Sequence, residues 1–163
     1  MADCVFRGLT VNCVAVGGLA ALCLTGCYSN HSYSWEPFSP NGPGWSSYEG
    51  QAIWKPTPSV PELTGDVFLS VNTNGSAFVQ FAKTVPILTA QIQSNIWEVQ
   101  ISSPGRTYSG ELPLPNRFGW LQLPGVALSQ APPSPWTLTG DISTFEIHNP
   151  ETGEDLRGYF NSP

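Results

Sequence analysis

Charged side chains are scarce in this chain, at 11% of 163 residues, with 6 Lys and Arg against 12 Asp and Glu. So low a charged fraction excludes a coiled coil or a long-helix bundle, which would be rich in Glu, Lys and Ala. The formal net charge of −6 excludes the basic surface that a nucleic-acid partner requires. The length suits one domain with a real core.

Residues that carry chemistry are equally few. The two histidines form no His-x-x-x-His arrangement, so no zinc site is expected. The sequence has no Gly-x-Ser-x-Gly turn, no glycine-rich phosphate loop and no motif that nominates a pair of catalytic carboxylates. The acidic segment 149–155 lacks the alternating ligands of a calcium loop, and its pattern indicates a solvated turn. The sequence therefore predicts a protein that is not an enzyme and needs no cofactor or metal.

The first 26 residues have the form of an export signal. One basic residue, Arg7, precedes an uncharged run of Ala, Val, Leu and Gly from residue 8 to residue 26. The run ends in Leu-Thr-Gly-Cys at Cys27, which resembles the bacterial lipobox. That resemblance implies cleavage before Cys27 and acylation of its thiol and amine. An uncleaved membrane anchor and a soluble secreted form are the alternatives.

Cysteine usage agrees with a lipid anchor. The four cysteines are Cys4, Cys13, Cys23 and Cys27, so a cleaved chain keeps one thiol. No intramolecular disulfide or cysteine-based metal site is then expected. Several acyl chains, such as palmitate, anchor a protein stably where one chain is marginal. Because residue 28 is Tyr rather than Asp, the resemblance to Gram-negative lipoproteins implies the outer membrane, facing the periplasm.

The segment 27–61 is predicted to be a tether. It is rich in Ser, Pro, Gly and Asn, and its prolines interrupt regular structure. It also contains aromatic rings that a free linker does not need, namely Tyr33, Trp35, Phe38, Trp45, Tyr48 and Trp54. These rings either lie over the outside of the folded domain, or form a stacking surface for glycan, peptidoglycan or lipid headgroups, or belong to a mobile stalk.

Residues 62–163 are predicted to form a β domain. Apolar residues alternate with polar ones, and turn signals recur at hairpin spacing, which is typical of an antiparallel sheet. The first hairpin is predicted to turn at Asn74-Gly75, the preferred type I′ pair, so that Phe68 lies opposite Phe81.

Two further hairpins follow. The second is predicted to turn at Pro104-Gly105, which places Glu98 opposite Glu111 on a solvated face and sorts the apolar residues onto the other face. The third pairs Ile147 with Leu156 around a longer acidic turn.

The segment 116–130 is the best helix candidate. Gly119 and the pair Pro124-Gly125 limit it to one or two short turns. It is too apolar to lie bare on a surface, so we expect it to plug the open side of a curved sheet.

Five short segments, FAKTVP (81–86), WEV (97–99), RTYSG (106–110), NPETGE (149–154) and GYF (158–160), resemble small exported lipoproteins of the LolA/LolB-like type. That resemblance implies an incomplete β-barrel whose concave apolar side holds acyl chains, with short helices as a lid. It implies as lining residues Phe81, Trp97, Phe118, Trp120 and Leu121. An ordinary core role is the alternative for each of them.

These observations leave two functions open. One is a lipid-anchored outer-membrane lipoprotein that binds or receives lipid or lipoprotein acyl chains in an apolar half-barrel. The other is a structural or accessory envelope lipoprotein that binds a protein or glycan partner through its aromatic tether. Nothing in the sequence specifies an oligomeric state.

Overall fold

A computed structural model describes residues 42–161 of the chain. Over these residues nine β-strands form one antiparallel sheet, in the order β6-β5-β4-β3-β2-β1-β9-β8-β7. The strands are β1 (Trp45–Lys55), β2 (Leu63–Asn72), β3 (Ala77–Ala82), β4 (Pro86–Gln93), β5 (Ile96–Ile101), β6 (Arg106–Glu111), β7 (Thr137–Gly140), β8 (Thr144–Asn149) and β9 (Glu154–Phe160). A 3₁₀ turn (Gly119–Leu121) and helix α1 (Leu123–Ala127) lie between β6 and β7. The prediction of a mainly β fold built on an open antiparallel sheet with short helical turns is confirmed.

Strand β1 corrects the predicted tether. It occupies the proline-free stretch between Pro43 and Pro56 and pairs with β2 on one side and β9 on the other. Proline cannot donate a hydrogen bond to a neighbouring strand, so this central strand ends at Lys55, immediately before Pro56. The tether prediction is therefore wrong for Trp45–Lys55, and the β domain starts at this strand rather than at residue 62. Residues 27–41 lie outside the described part.

The sheet has two different faces. The inner face is the side that carries Trp54, Leu69, Val79, Val99 and Leu156, all of them buried. The outer face carries the residues between them in sequence, which are mostly polar and include Gln51, Asp66, Gln80, Glu98 and Arg157. Side chains alternate between the faces of a strand, so one alternating pattern produces both surfaces.

The first hairpin differs by one residue from its predicted register, because Phe81 lies opposite Val67 rather than Phe68. Its loop is one residue longer than a type I′ turn, since the N–H of Asn72 donates to the carbonyl of Ser76 at 2.8 Å. A type I′ turn needs positive φ at both central residues, but within this loop only Gly75 adopts it, at 89°. The shift puts Val67, Leu69 and Val71 on the same face as Phe81 and Val79, which is the inner face.

The second hairpin is shifted by two residues. Glu98 lies opposite Ser109 rather than Glu111, because the loop is longer than a two-residue turn. A shift of two preserves the faces, since side chains alternate with a period of two. Trp97 and Val99 are accordingly buried on the inner face as predicted. In the third hairpin, the predicted pairing of Ile147 with Leu156 is confirmed.

The predicted helical segment forms short turns and covers the inner face. We call residues 118–128 the plug segment. Trp120, Leu121 and Leu123 are at most 2% exposed, so the segment lies with its apolar side chains in the core. Because these side chains bury most of their surface, each contributes roughly 1.5–3 kcal/mol to folding.

Candidate functional site

The five predicted lining residues meet where the plug segment packs on the inner face: Phe81 and Trp97 belong to the sheet, and the other three belong to the plug segment. The ring centroids of Phe81 and Trp120 are 4.7 Å apart, and those of Trp97 and Phe118 are 6.4 Å apart. Together with Leu121, these residues are at most 7% exposed. The structure thus brings all five into one cluster, where each is a core residue of the apolar inner face.

The aromatic cluster extends to residues that sequence reasoning did not nominate. The ring of Trp54 on β1 lies 5.7 Å from Trp120, and Tyr108 on β6 lies 5.0 Å from Phe118. The guanidinium of Arg117 stacks 4.7 Å above the Tyr108 ring. Aromatic pairs of this kind contribute about 0.5–1.5 kcal/mol beyond their burial. Trp54 was missed because its segment was assigned to the tether.

A buried carboxylate holds the start of the plug segment. Glu154 on β9 is 4% exposed. Its Oε1 accepts hydrogen bonds from Trp54 Nε1 at 3.0 Å and Gly119 N at 2.9 Å, and its Oε2 accepts one from Phe118 N at 3.0 Å. Burial raises the pKa of the Glu154 carboxyl above its ordinary value, and the three hydrogen bonds offset part of that shift.

Asn149 supports the same end of the segment. Its Nδ2 donates to the carbonyl of Asn116 at 2.7 Å, and its Oδ1 accepts from the backbone N–H of Glu151 at 2.9 Å. Asn149 is 0% exposed, and it pairs with Glu154 across β8 and β9.

The prediction of a solvated turn at 149–155 is therefore wrong for Asn149 and Glu154, which are buried. The sequence contained the information needed to predict their burial. Ile147 and Leu156 were correctly paired, and Asn149 and Glu154 lie two positions nearer the turn. Residues two apart on a strand share a face, so both belong to the inner face.

The plug segment is attached to the sheet at one end. Among the residues described, every hydrogen bond from this region to the sheet is made at positions 116, 118 and 119. From Trp120 onward the segment contacts the sheet through side chains. Three buried N–H groups here have no acceptor among residues 42–161, namely Trp120 Nε1, Gln122 Nε2 and Trp136 Nε1. A buried donor left without an acceptor costs about 1–3 kcal/mol.

A groove lies on the opposite, outer face, across β7, β8, β9, β1 and β2. Its volume is about 560 Å³, and side chains that line it include Gln51, Ile53, Thr144, Glu146, Arg157 and Tyr159. The Tyr159 hydroxyl donates to Gln51 Oε1 at 3.1 Å, and Gln51 Nε2 donates to Asp66 Oδ1 at 3.3 Å. No sequence pattern nominated this groove, because its lining comes from strands that are far apart in sequence.

Between residues 42 and 161, no group of three His, Cys, Asp or Glu side chains is placed to hold a metal ion. Within the same part of the chain, no helix has the length and apolar character needed to cross a bilayer. The predicted lipidation site, Cys27, lies outside the described residues. No protein-family model matches the chain, and no curated protein matches it.

Proposed function

We propose that the protein is a lipid-anchored lipoprotein of the outer membrane that binds a lipid or lipoprotein acyl chain on its inner face, beneath the plug segment. The observation that carries the proposal is the attachment of an apolar plug at one end only. The proposal gives the protein a binding role, with no catalytic step and no cofactor.

An acyl chain needs an apolar surface that is shielded from water. The inner face offers Phe81, Trp97 and their neighbours, and the plug segment shields them. Because no hydrogen bond joins residues 120–128 to the sheet in the described part, the plug can leave without breaking one. Its departure exposes an apolar trough, which a long hydrocarbon chain would cover again.

Polar groups at the site suit an acyl ester or acid. The Nε1 of Trp120 and the Nε2 of Gln122 are buried donors with no acceptor in the part of the chain that the structure describes. The oxygens of a ligand's carboxyl or ester group are acceptors, so binding would give these donors partners. The resemblance to LolA/LolB-like lipoproteins supports the same assignment, because their incomplete barrel holds acyl chains under a lid.

Photo-crosslinking tests the acyl-chain site directly. The full chain in phospholipid vesicles is irradiated with a diazirine-labelled palmitate, and the labelled peptides are mapped by mass spectrometry. We expect labels on the plug segment and on the strands that carry Phe81 and Trp97, suppressed by excess unlabelled palmitate. Hydrogen exchange of the amides at 120–128 should become faster when palmitate is bound. Labels confined to the outer face, or none that palmitate suppresses, would contradict the proposal.

The lipid anchor is tested separately. Cells that express the chain are grown with radiolabelled palmitate, and the parent is compared with Cys27→Ser. We expect the label and the membrane association of the parent to be lost in the variant. If the parent takes up no palmitate, the anchor and the outer-membrane location fail together, whatever the crosslinking shows.

The second candidate is an accessory envelope lipoprotein that binds a protein or glycan. The observation in its favour is that the protein's own side chains fill the inner face, with Trp120 at 0% exposed. Trp54 cannot serve as a test of an aromatic tether, because its Nε1 is bonded to Glu154 in the core. Trp35→Ala is the cleaner variant, and loss of its association with envelope fractions while the fold is retained would favour this candidate.

A further inference from the structure

The outer-face groove has no part in acyl-chain binding, yet its size is that of a ligand site. Its volume of about 560 Å³ falls within the range of roughly 300–1,000 Å³ that small-molecule sites occupy. It crosses five adjacent strands, so rigid backbone positions its side chains. Half-buried Ile53 supplies apolar surface, and the exposed ring of Tyr159 stands among polar groups.

Several of these polar groups are already held in place. Tyr159, Gln51 and Asp66 form a chain of side-chain hydrogen bonds across β9, β1 and β2, at 3.1 and 3.3 Å. Tyr159 is nevertheless 44% exposed, so much of its side chain remains open to a ligand. A preordered site loses less conformational entropy on binding than a mobile one.

The charges around the groove argue against an anionic ligand. The one guanidinium, that of Arg157, is paired with Glu62 at 3.1 Å and approaches Asp155 at 3.8 Å. Glu146 lies opposite Arg157 on β8, so carboxylates outnumber the cation. A phosphate, a sulfate or an anionic lipid headgroup would meet repulsion here.

We infer that this groove binds a neutral oligosaccharide. A sugar ring offers C–H faces that pack on an aromatic ring such as that of Tyr159, and hydroxyls that both donate and accept hydrogen bonds. The groove matches the hydroxyls with Thr64, Thr139, the Gln51 amide and the Glu146 carboxylate. This inference is independent of the acyl-chain proposal, because the two sites lie on opposite faces of the sheet.

Binding is measured with defined trisaccharides. Chitotriose, cellotriose and maltotriose are titrated into the full chain in a detergent without a sugar headgroup, using calorimetry and saturation-transfer NMR. Trigalacturonate is the anionic control, and trilysine tests a peptide. We expect saturable binding of at least one neutral trisaccharide, tighter than that of either charged ligand. If no neutral trisaccharide binds, or if a charged ligand binds more tightly than all of them, the inference is overturned.

Two variants then locate the site. Tyr159→Ala removes the ring and should weaken binding of the preferred trisaccharide about tenfold. Thr107→Ala, an exposed position on the outer face of β6 away from the groove, is the matched control and should bind like the parent. Both side chains are exposed, so both variants should melt close to the parent. Undiminished binding by a folded Tyr159→Ala protein would overturn the assignment to this groove.

Discussion

The two faces of the same sheet use polar side chains in opposite ways. On the inner face, the Glu154 carboxylate is 4% exposed and accepts three N–H groups, two of which belong to the plug segment and position it. On the outer face, the Arg157 and Glu62 side chains of one ion pair are 44% and 41% exposed. Water already solvates the outer groups, so their loss costs little, whereas the inner groups have only protein partners. The inner face therefore carries the stability of the fold, and the outer face is free to serve binding.

The largest effect is expected at the centre of the inner face. Trp120→Ala should lower the free energy of unfolding by about 3–5 kcal/mol, because a fully buried indole is replaced by a cavity. Urea denaturation followed by circular dichroism measures the change. Val85→Ala, at a position that is 66% exposed, is the control and should stay within about 0.5 kcal/mol of the parent. A small loss in Trp120→Ala would mean that the plug segment contributes little to the folded state.

The next comparison uses two turn residues with the same local role. Asn149 is buried and its Oδ1 accepts two backbone N–H groups, while Asp141 does the same for Ser143 and Thr144 on the surface. Asn149→Ala should cost about 1–3 kcal/mol of stability, because the buried Asn149 side chain loses its hydrogen bond to the Asn116 carbonyl and its hydrogen bonds within the turn. Asp141→Ala should cost less, since water replaces the lost partner. If urea denaturation shows equal losses of unfolding free energy in the two variants, buried and exposed turn residues do not differ in their contribution to stability.

The pH dependence of stability should separate the same two environments. Because the pKa of Glu154 is raised, its contribution is fully present below its ordinary value of 4.5 and is lost as pH rises through the folded value. Hydrogen bonds from Ser143 and Thr144 lower the pKa of Asp141 below 3.8, so its contribution is present above that value and is lost on acidification through the folded value.

The check for Glu154 is the difference between the parent and Glu154→Gln. We expect this variant to gain stability relative to the parent as pH rises from about 4 to about 8, because it cannot ionise. Unfolding free energies measured across that range give the slope. A flat difference, or a slope of the opposite sign, would show that burial does not dominate at this carboxyl.

The faces of the strands could be predicted from the sequence better than the registers. At Trp97 and Val99 the apolar alternation identified the inner face even though the hairpin register was off by two. At Phe68 the same reasoning failed, because a loop one residue longer than assumed moves every side chain to the other face. Loop length depends on backbone φ values, such as the positive φ of Gly75. The residue type limits the range of φ but does not fix its value.

Predictions from composition alone were wrong for β1, which was assigned to a tether, and for the residues that hold the plug segment, which were assigned to a solvated turn. The prolines near Trp54 suggested a linker, but they flank the strand and do not interrupt it. Glu154 looked like a surface acid because acids seldom lie buried without partners. Its backbone partners, the N–H groups of Phe118 and Gly119, are 36 and 35 positions away in sequence, and only the folded chain brings them together. The outer groove has the same origin, since its lining comes from separate strands.

The smallest effect is expected from the ion pair on the outer face. Glu62→Gln removes one partner of Arg157 without altering the lining of the groove, and it should change the free energy of unfolding by less than about 1 kcal/mol. About 1 M NaCl should shrink even that difference, because salt screens exposed charges. Urea denaturation at low and high salt measures both. A loss as large as that of Asn149→Ala would mean that the outer face stabilises the fold as strongly as the inner one. The outer side chains would then be required for stability, and they would not be available to serve ligand binding alone.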